Sequence, residues 1–203
     1  MFIQVIQGRC TDADALHRQM DRWTQELEPG ATGWLGGTYG ITDDGEFVGV
    51  VRFDSRASAE ANSARPEQGA WWEETARLFD GDASFHDCDD VTMMLDGGSD
   101  QAGFVQVIQG RLSDADRFRH AMEEPMDMLR QARPDIIGGT VAIDKDGFFT
   151  QTMAFKTEAD AREGEHKSPP PDAQRMMDEM NSLMSDVSYH DLHHPWFATA
   201  GAH

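Results

Sequence analysis

Short apolar runs alternate with longer stretches of helical spacing along this chain, and the whole pattern is spelled twice. Phe2-Ile3-Gln4-Val5-Ile6-Gln7-Gly8-Arg9 returns roughly 102 residues later as Phe104-Val105-Gln106-Val107-Ile108-Gln109-Gly110-Arg111. Residues 2–7 are β-branched and aromatic with no Gly or Pro, which predicts a buried strand that Gly8 ends. Thr11 with Asp14, and Ser113 with Asp116, then read as capping-box-like helix starts. Leu16, Met20, Trp23 and Leu27 recur at helical spacing, as do Phe118, Met122, Met126 and Leu129 in the second copy. Pro125 interrupts that second helix, and a kink is expected there.

Two strands follow in each copy, joined by Asp43-Asp44-Gly45 and by Lys145-Asp146-Gly147, strong hairpin signals between β-rich runs. The paired glycines, Gly36-Gly37 and Gly138-Gly139, mark a bulge, a bend or a close approach. A second helical region is split by Pro66 in the first copy and by Pro169-Pro170-Pro171 in the second. Its inner face carries Trp71, Thr75, Leu78 and Phe79, then Met176, Met180, Leu183 and Met184. A closing strand ends each copy, Ala83 to about Leu95 and Val187 to about His194. Each copy therefore reads β-α-β-β-α-β, the ferredoxin-like order, and the fold class is α+β. The boundaries read 1–96 for the first repeat, 97–103 for a polar Gly-rich linker and 104–203 for the second.

A four-stranded sheet with helices on one face must cover its other face. Here both faces are apolar, so the expectation is two sheets packed face to face as a fused pseudo-dimer. The order of elements, the strand-Gly-helix opening and the Pro-split second helix resemble the dimeric α/β-barrel superfamily, specifically its antibiotic-biosynthesis-monooxygenase-like domains, in two fused copies. The resemblance covers 2 to about 96 and 104 to about 195. It implies a pseudo-dimeric α/β barrel. Members include cofactor-independent oxygenases of quinol-like aromatics, haem-degrading enzymes, isomerases and proteins without known activity.

The formal net charge of −20 argues against phosphate-backbone binding, because nucleic-acid affinity rests on basic patches. No apolar run is long enough for a membrane span, and the start at Met1-Phe2-Ile3-Gln4 lacks a signal-peptide pattern. Cys10 and Cys88 have no metal-type spacing. A cytoplasmic protein is expected, a pseudo-dimer within one chain and open to further homo-oligomerisation. Its partner is expected to be a small molecule, not nucleic acid or membrane.

Candidate catalytic groups are histidines, the side chains poised to move protons near neutral pH. Ser84-Phe85-His86-Asp87 matches Ser188-Tyr189-His190-Asp191, so His86 and His190 occupy one place in the two copies. Neighbouring strand residues point to opposite faces, so neither Asp simply orients its adjacent His. His166 lies just before the proline break, where haem-degrading members carry an axial histidine. Counting back from the closing strand, its counterpart is Asn62. The Trp and first-strand Asn that accompany such a histidine are not recognisable, with Gln4, Gln7, Gln106 and Gln109 in the strands instead.

Candidate ligand-binding residues are Gln4, Gln106, Trp34, Tyr39, Asn62 and Trp71: polar insertions in apolar strands, and aromatics beside them. His190, His193 and His194 do not read as a metal site, because an i, i+4 pair on a strand spans about 13 Å. The methionines read as adaptable core. Walker, Rossmann, GxSxG and HExxH motifs are absent from the sequence.

The chemistry stays open between three readings. One is a cofactor-independent monooxygenase-like protein acting on a neutral aromatic or quinol-like compound in a cavity. The alternatives are a non-catalytic ligand-binding or structural protein of the same fold, and a haem-binding or haem-degrading protein using His166.

Overall fold

The computed structural model describes all residues except Ser99, Glu124, Pro125, Ala202 and His203; for 123 and 126–128 the description covers the backbone alone. The kink expected at Pro125 and the Met126 side chain fall outside the described residues.

The first repeat runs β1 (Phe2–Arg9), α1 (Ala13–Glu26), β2 (Trp34–Ile41), β3 (Glu46–Phe53), α2 (Arg56–Ser63), α3 (Pro66–Ala76), β4 (Ser84–Cys88) and β5 (Asp90–Met94). The second runs β6 (Phe104–Leu112), α4 (Ala115–Glu123), α5 (Met126–Ala132), β7 (Ile136–Ile143), β8 (Phe148–Phe155), α6 (Glu158–Glu165), α7 (Pro171–Leu183), β9 (Met184–Leu192) and β10 (Trp196–Thr199). The sheets are antiparallel and five-stranded, ordered β10-β2-β3-β1-β4 and β5-β7-β8-β6-β9. Each contains the ferredoxin-like order plus one strand, and among the described residues neither sheet closes on itself.

The helix starts differ by one residue from the sequence reading. Asp12, not Thr11, caps α1, its carboxylate accepting from the Ala15 amide at 2.9 Å. Asp114 does the same for the Arg117 amide at 2.9 Å. Thr11 is instead spent on α3, its hydroxyl donating to the Leu78 carbonyl. The glycine pairs do mark bulges: the β2–β3 and β7–β8 registers both shift, between Trp34 and Gly36 and between Ile136 and Gly138. Gly37 also makes room for Tyr39, since a Cβ there would sit 2.1 Å from the phenol oxygen.

The closing strands are not continuous. The chain bends at Asp89, and β5 pairs with β7; after Pro195, β10 pairs with β2. By sequence repeat the boundary falls at 97–103, while by contact the compact units are Met1–Asp89 with Pro195–His203, and Asp90–His194. Pro195 thus lies between two strands, β9 ending at Leu192 and β10 starting at Trp196.

In the first unit Leu16, Met20, Trp23 and Leu27 of the α1 face join Phe2, Trp34, Phe47, Phe53, Trp71 and Phe79 in one core. Burying a large apolar side chain is worth about 1.5–3 kcal/mol, so this face holds the helices to the sheet. The second unit uses Phe118, Met122, Val141, Ile143, Phe149 and Leu183, with Phe104, Ile136, Phe155 and Ala161 beside them.

Candidate functional site

The matched histidines stand on strands β4 and β9, the outer partners of β1 and β6. His86 is paired opposite Val5, and His190 opposite Val107. Cross-strand partners share a face. Phe2 and Ile6 pack into the helix-side core, so Val5 and His86 point to the other face; His190 does likewise. The His190 ring nitrogen Nε2 lies 3.3 Å from the Ser188 hydroxyl.

Gln4 and Gln106 lie on the helix side and have the same kind of partner. Gln4 donates to Asp87 at 2.9 Å, and Gln106, 6 % exposed, donates to Asp191 at 3.2 Å and Glu165 at 3.4 Å. An arginine completes each brace. Arg56 pairs with Asp87 and Asp89 and lies over the Phe2 ring at 4.8 Å; Arg162 pairs with Asp191, Glu158 and Glu165 and lies over Phe104 at 5.3 Å. The bond to Asp191 raises the Arg162 pKa, fixing it as a cation. The glutamines and the Asp of each His-Asp pair thus tie the closing strand to the second helical region.

That network contains the one metal-type cluster found among the described residues, Glu158, Asp191 and His193. Arg162 already bonds both carboxylates, and His193 Nδ1 is 3.0 Å from Glu158. The guanidinium occupies the electrostatic place of a cation there.

Trp34, Tyr39 and Trp71 are core residues of the first unit. Trp71 Nε1 donates to the Gln19 carbonyl at 3.0 Å, and its ring meets Trp23 edge-on. Trp34 lies 5.0 Å from Trp23, and Tyr39 stacks with Phe47 and with Trp196 of β10. Burial pushes the Tyr39 phenol pKa upward, so it stays protonated. Asn62 is buried and accepts from Arg65 at 2.9 Å. Its counterpart is Gly164, not His166. The α2 and α6 N-caps, Ser55 and Thr157, set the register, and His166 matches Ala64 as a C-cap. His166 is exposed, its Nδ1 2.5 Å from the Arg162 carbonyl of its own helix.

An open volume lies in the second unit. A cavity of about 480 Å³ sits between its sheet and helices α5, α6 and α7. Seven methionines line it: Met94, Met122, Met153, Met176, Met177, Met180 and Met184. Ile108, Leu129 and Ile136 add to the apolar wall; Gln151, Glu165, Asn181 and Tyr189 are among its polar groups. None of His86, His166, His190, Gln4, Gln106, Trp34, Tyr39, Asn62 or Trp71 is on this wall.

The two halves explain why it is there. The Leu78 carbonyl accepts from the Thr11 amide, and the Leu183 carbonyl from the Ser113 amide, which matches α3 to α7. Trp71 then corresponds to Met176, Trp72 to Met177 and Phe79 to Met184. Trp34 and Ile136 pair with Phe53 and Phe155 at equivalent places. Four aromatic positions of the first unit are therefore thioether or aliphatic in the second. In the first unit the Trp72 ring is in contact with the rings of Trp71, Phe79 and Phe85. Tyr189, the counterpart of Phe85, has no Trp72 to meet and stands 65 % exposed at the cavity.

An α+β chain with two sheets in ferredoxin-like order and an apolar cavity under one of them has the fold of the antibiotic-biosynthesis-monooxygenase-like proteins. A "putative monooxygenase" from Lactobacillus acidophilus is similar over 98% of this chain and 97% of its own, with a TM-score of 0.72 at 15% identity. One of the same description from Fusobacterium nucleatum covers 98% and 94%, with a TM-score of 0.72 at 8% identity. An anthrone oxidase-like protein covers 98% and 93%, with a TM-score of 0.65 at 8% identity. At these identities the likeness establishes the fold. No family model matches the chain, and no curated protein matches it. Among the described residues no helix is long and apolar enough to cross a membrane.

Proposed function

We propose that the protein binds a neutral aromatic or quinol-like compound in the methionine-lined cavity of its second unit and oxidises it as a monooxygenase-like enzyme. The carrying observation is the exchange of Trp71, Trp72, Phe79 and Trp34 for Met176, Met177, Met184 and Ile136, beside a cavity of about 480 Å³. That volume falls within the roughly 300–1,000 Å³ of small-molecule sites, which are mostly apolar with few polar anchors. Thioether walls adapt to ring shapes and make favourable contacts with aromatic edges.

The charged groups at the cavity are already neutralised. Arg133 is held by Asp135 at 2.7 Å, Lys167 by Glu163 at 3.2 Å and Glu165 by Arg162 at 3.2 Å. A neutral ligand suits such a wall. The anthrone oxidase-like neighbour supports a matching reaction: an activated ring CH2 is oxidised to a carbonyl by O2. One oxygen atom enters the product, and the other leaves as water with the two hydrogens. The substrate supplies the electrons, so no cofactor is required. Glu165 is the carboxylate on the wall and is the base we assign to the ring C–H. The histidines His86, His166 and His190 stand away from the wall, and haem ligation through His166 forms no part of this reading.

The test combines binding and turnover. Anthrone and 1-naphthol are expected to raise the melting temperature, since a ligand that binds only the native state stabilises it. Anthrone should also be consumed with one equivalent of O2, and Glu165→Gln should slow consumption without abolishing binding. Binding without O2 uptake favours a non-catalytic carrier. No stabilisation by either compound refutes the cavity as the site.

A further inference from the structure

The sheet wall of the cavity carries a half-buried polar side chain, Gln151, whose strong hydrogen-bonding capacity is unused. Gln151 lies on β8 between Phe149 and Met153, on the face that packs toward the helices. Its Nε2 donates to the Met94 sulfur at 3.6 Å. A thioether is a weak acceptor. Among the described residues the carboxamide has no other partner. Gln151 is half-buried and lines the cavity, so water or a ligand there can take up the amide's remaining hydrogen-bonding capacity.

The other polar groups of the wall are differently placed. Arg133, Glu165 and Lys167 are ion-paired, and Gln174 donates to Asp178 at 2.8 Å. Asn181 and Tyr189 are exposed. The first unit has Gly49 where the second has Gln151, since Val5 pairs with Val50 as Val107 does with Thr152. The amide is therefore present in the half with this cavity and missing at the matched place in the other.

We infer that Gln151 sets the specificity of the cavity by hydrogen-bonding an oxygen of the ligand. The ligand class is then a fused aromatic bearing a ring carbonyl or phenolic hydroxyl at its sheet-facing end, with an apolar remainder among the methionines. A carbonyl accepts from the free amide N–H; a hydroxyl donates to the amide oxygen. This rests on the cavity being the ligand site.

Equilibrium dialysis of the full chain with naphthalene and 1-naphthol separates the two ideas. One neutral hydrogen bond should make the wild type prefer 1-naphthol by about three- to tenfold. In Gln151→Met, close in length to the residue it replaces, the ratio should fall to near one while naphthalene binds as well or better. Gln151→Leu should agree. In the wild type, the Gln151 side-chain amide resonances should move with 1-naphthol and stay with naphthalene, a readout that does not depend on any variant folding. An unchanged ratio in either folded variant, or no movement of those resonances, overturns the role of Gln151 alone. If the wild type retains neither probe, the cavity reading falls as well.

Discussion

Grafting the first unit's ring onto the second tests whether the cavity is free space. Met176→Trp restores the residue found at the matched Trp71. An indole buries about 150–250 Å², and the extra burial over Met, roughly 60–80 Å², is worth about 1.5–2 kcal/mol. Overpacking a full core costs about 1–3 kcal/mol, which is the opposing effect. With open volume beside Met176, the two should nearly cancel, leaving stability within about 1.5 kcal/mol and the melting temperature within about 5 °C. Binding of 1-naphthol should fall at least tenfold. The reverse change, Trp71→Met, breaks the bond to the Gln19 carbonyl and leaves a void among Trp23 and Trp72. It should cost about 2–4 kcal/mol, in the range of core truncations. Urea unfolding with dialysis of 1-naphthol reads both. A loss above about 3 kcal/mol for Met176→Trp, or a neutral Trp71→Met, would refute the contrast between the halves.

Two further outcomes follow from ionisation. The Arg56 hydrogen bond holds the Asp89 carboxyl below the usual range, so its stabilisation is complete above about pH 4 and lost as pH falls through the lowered value. Because the pair is exposed its contribution is small, and urea midpoints of Arg56→Ala and wild type should converge as pH falls through that lowered value. Burial raises the Cys10 thiol pKa, so iodoacetamide should label the native protein slowly at pH 8 and faster as pH rises past 9; rapid native labelling at pH 7 would contradict it.

Much of the fold is legible because apolar period, turn chemistry and a duplicated pattern all agree. Pro66 and Pro171 start helices, Asp-Gly turns join β2 to β3 and β7 to β8, and the inner faces of α1 and α3 are the buried ones. The strand bend at Asp89 is harder to read, because residues 84–94 remain β-rich throughout and the change of sheet depends on which strand offers a free edge. The cavity is harder to read for a related reason. Polar and aromatic positions point to Gln4, Gln106, Trp34 and His190; of these, Gln4 and Gln106 join the strand brace, Trp34 lies in the core and His190 faces away from both. The cavity is signalled by missing bulk: methionines at 176, 177 and 184 where the first copy has Trp71, Trp72 and Phe79. Aligning the copies residue by residue and comparing side-chain volume would have pointed to it, and Gln151 against Gly49 would have stood out in the same comparison.

The exchange of closing strands makes a prediction about the two halves as separate polypeptides. A chain cut at 96/97 leaves β5 with the first fragment and β10 with the second, although β5 completes the sheet of β7 and β10 that of β2. The first fragment loses Trp196, which stacks on His17 at 4.4 Å and lies against Tyr39 and Phe47. Trp196 is partly buried, so its loss falls at or below the low end of the about 3–5 kcal/mol of a core ring, before the lost ladder is counted. The second loses Met94, 3 % exposed, and the Asp90 partner of Arg119 at 2.5 Å. A domain of this size has only about 5–15 kcal/mol of net stability, so each fragment alone should be marginal or unfolded. Mixed, they should recover the circular dichroism and cooperative unfolding of the intact chain, with a midpoint that depends on concentration. If residues 1–96 alone unfold cooperatively near the midpoint of the whole protein, β10 is dispensable to the first unit and the argument from strand exchange fails.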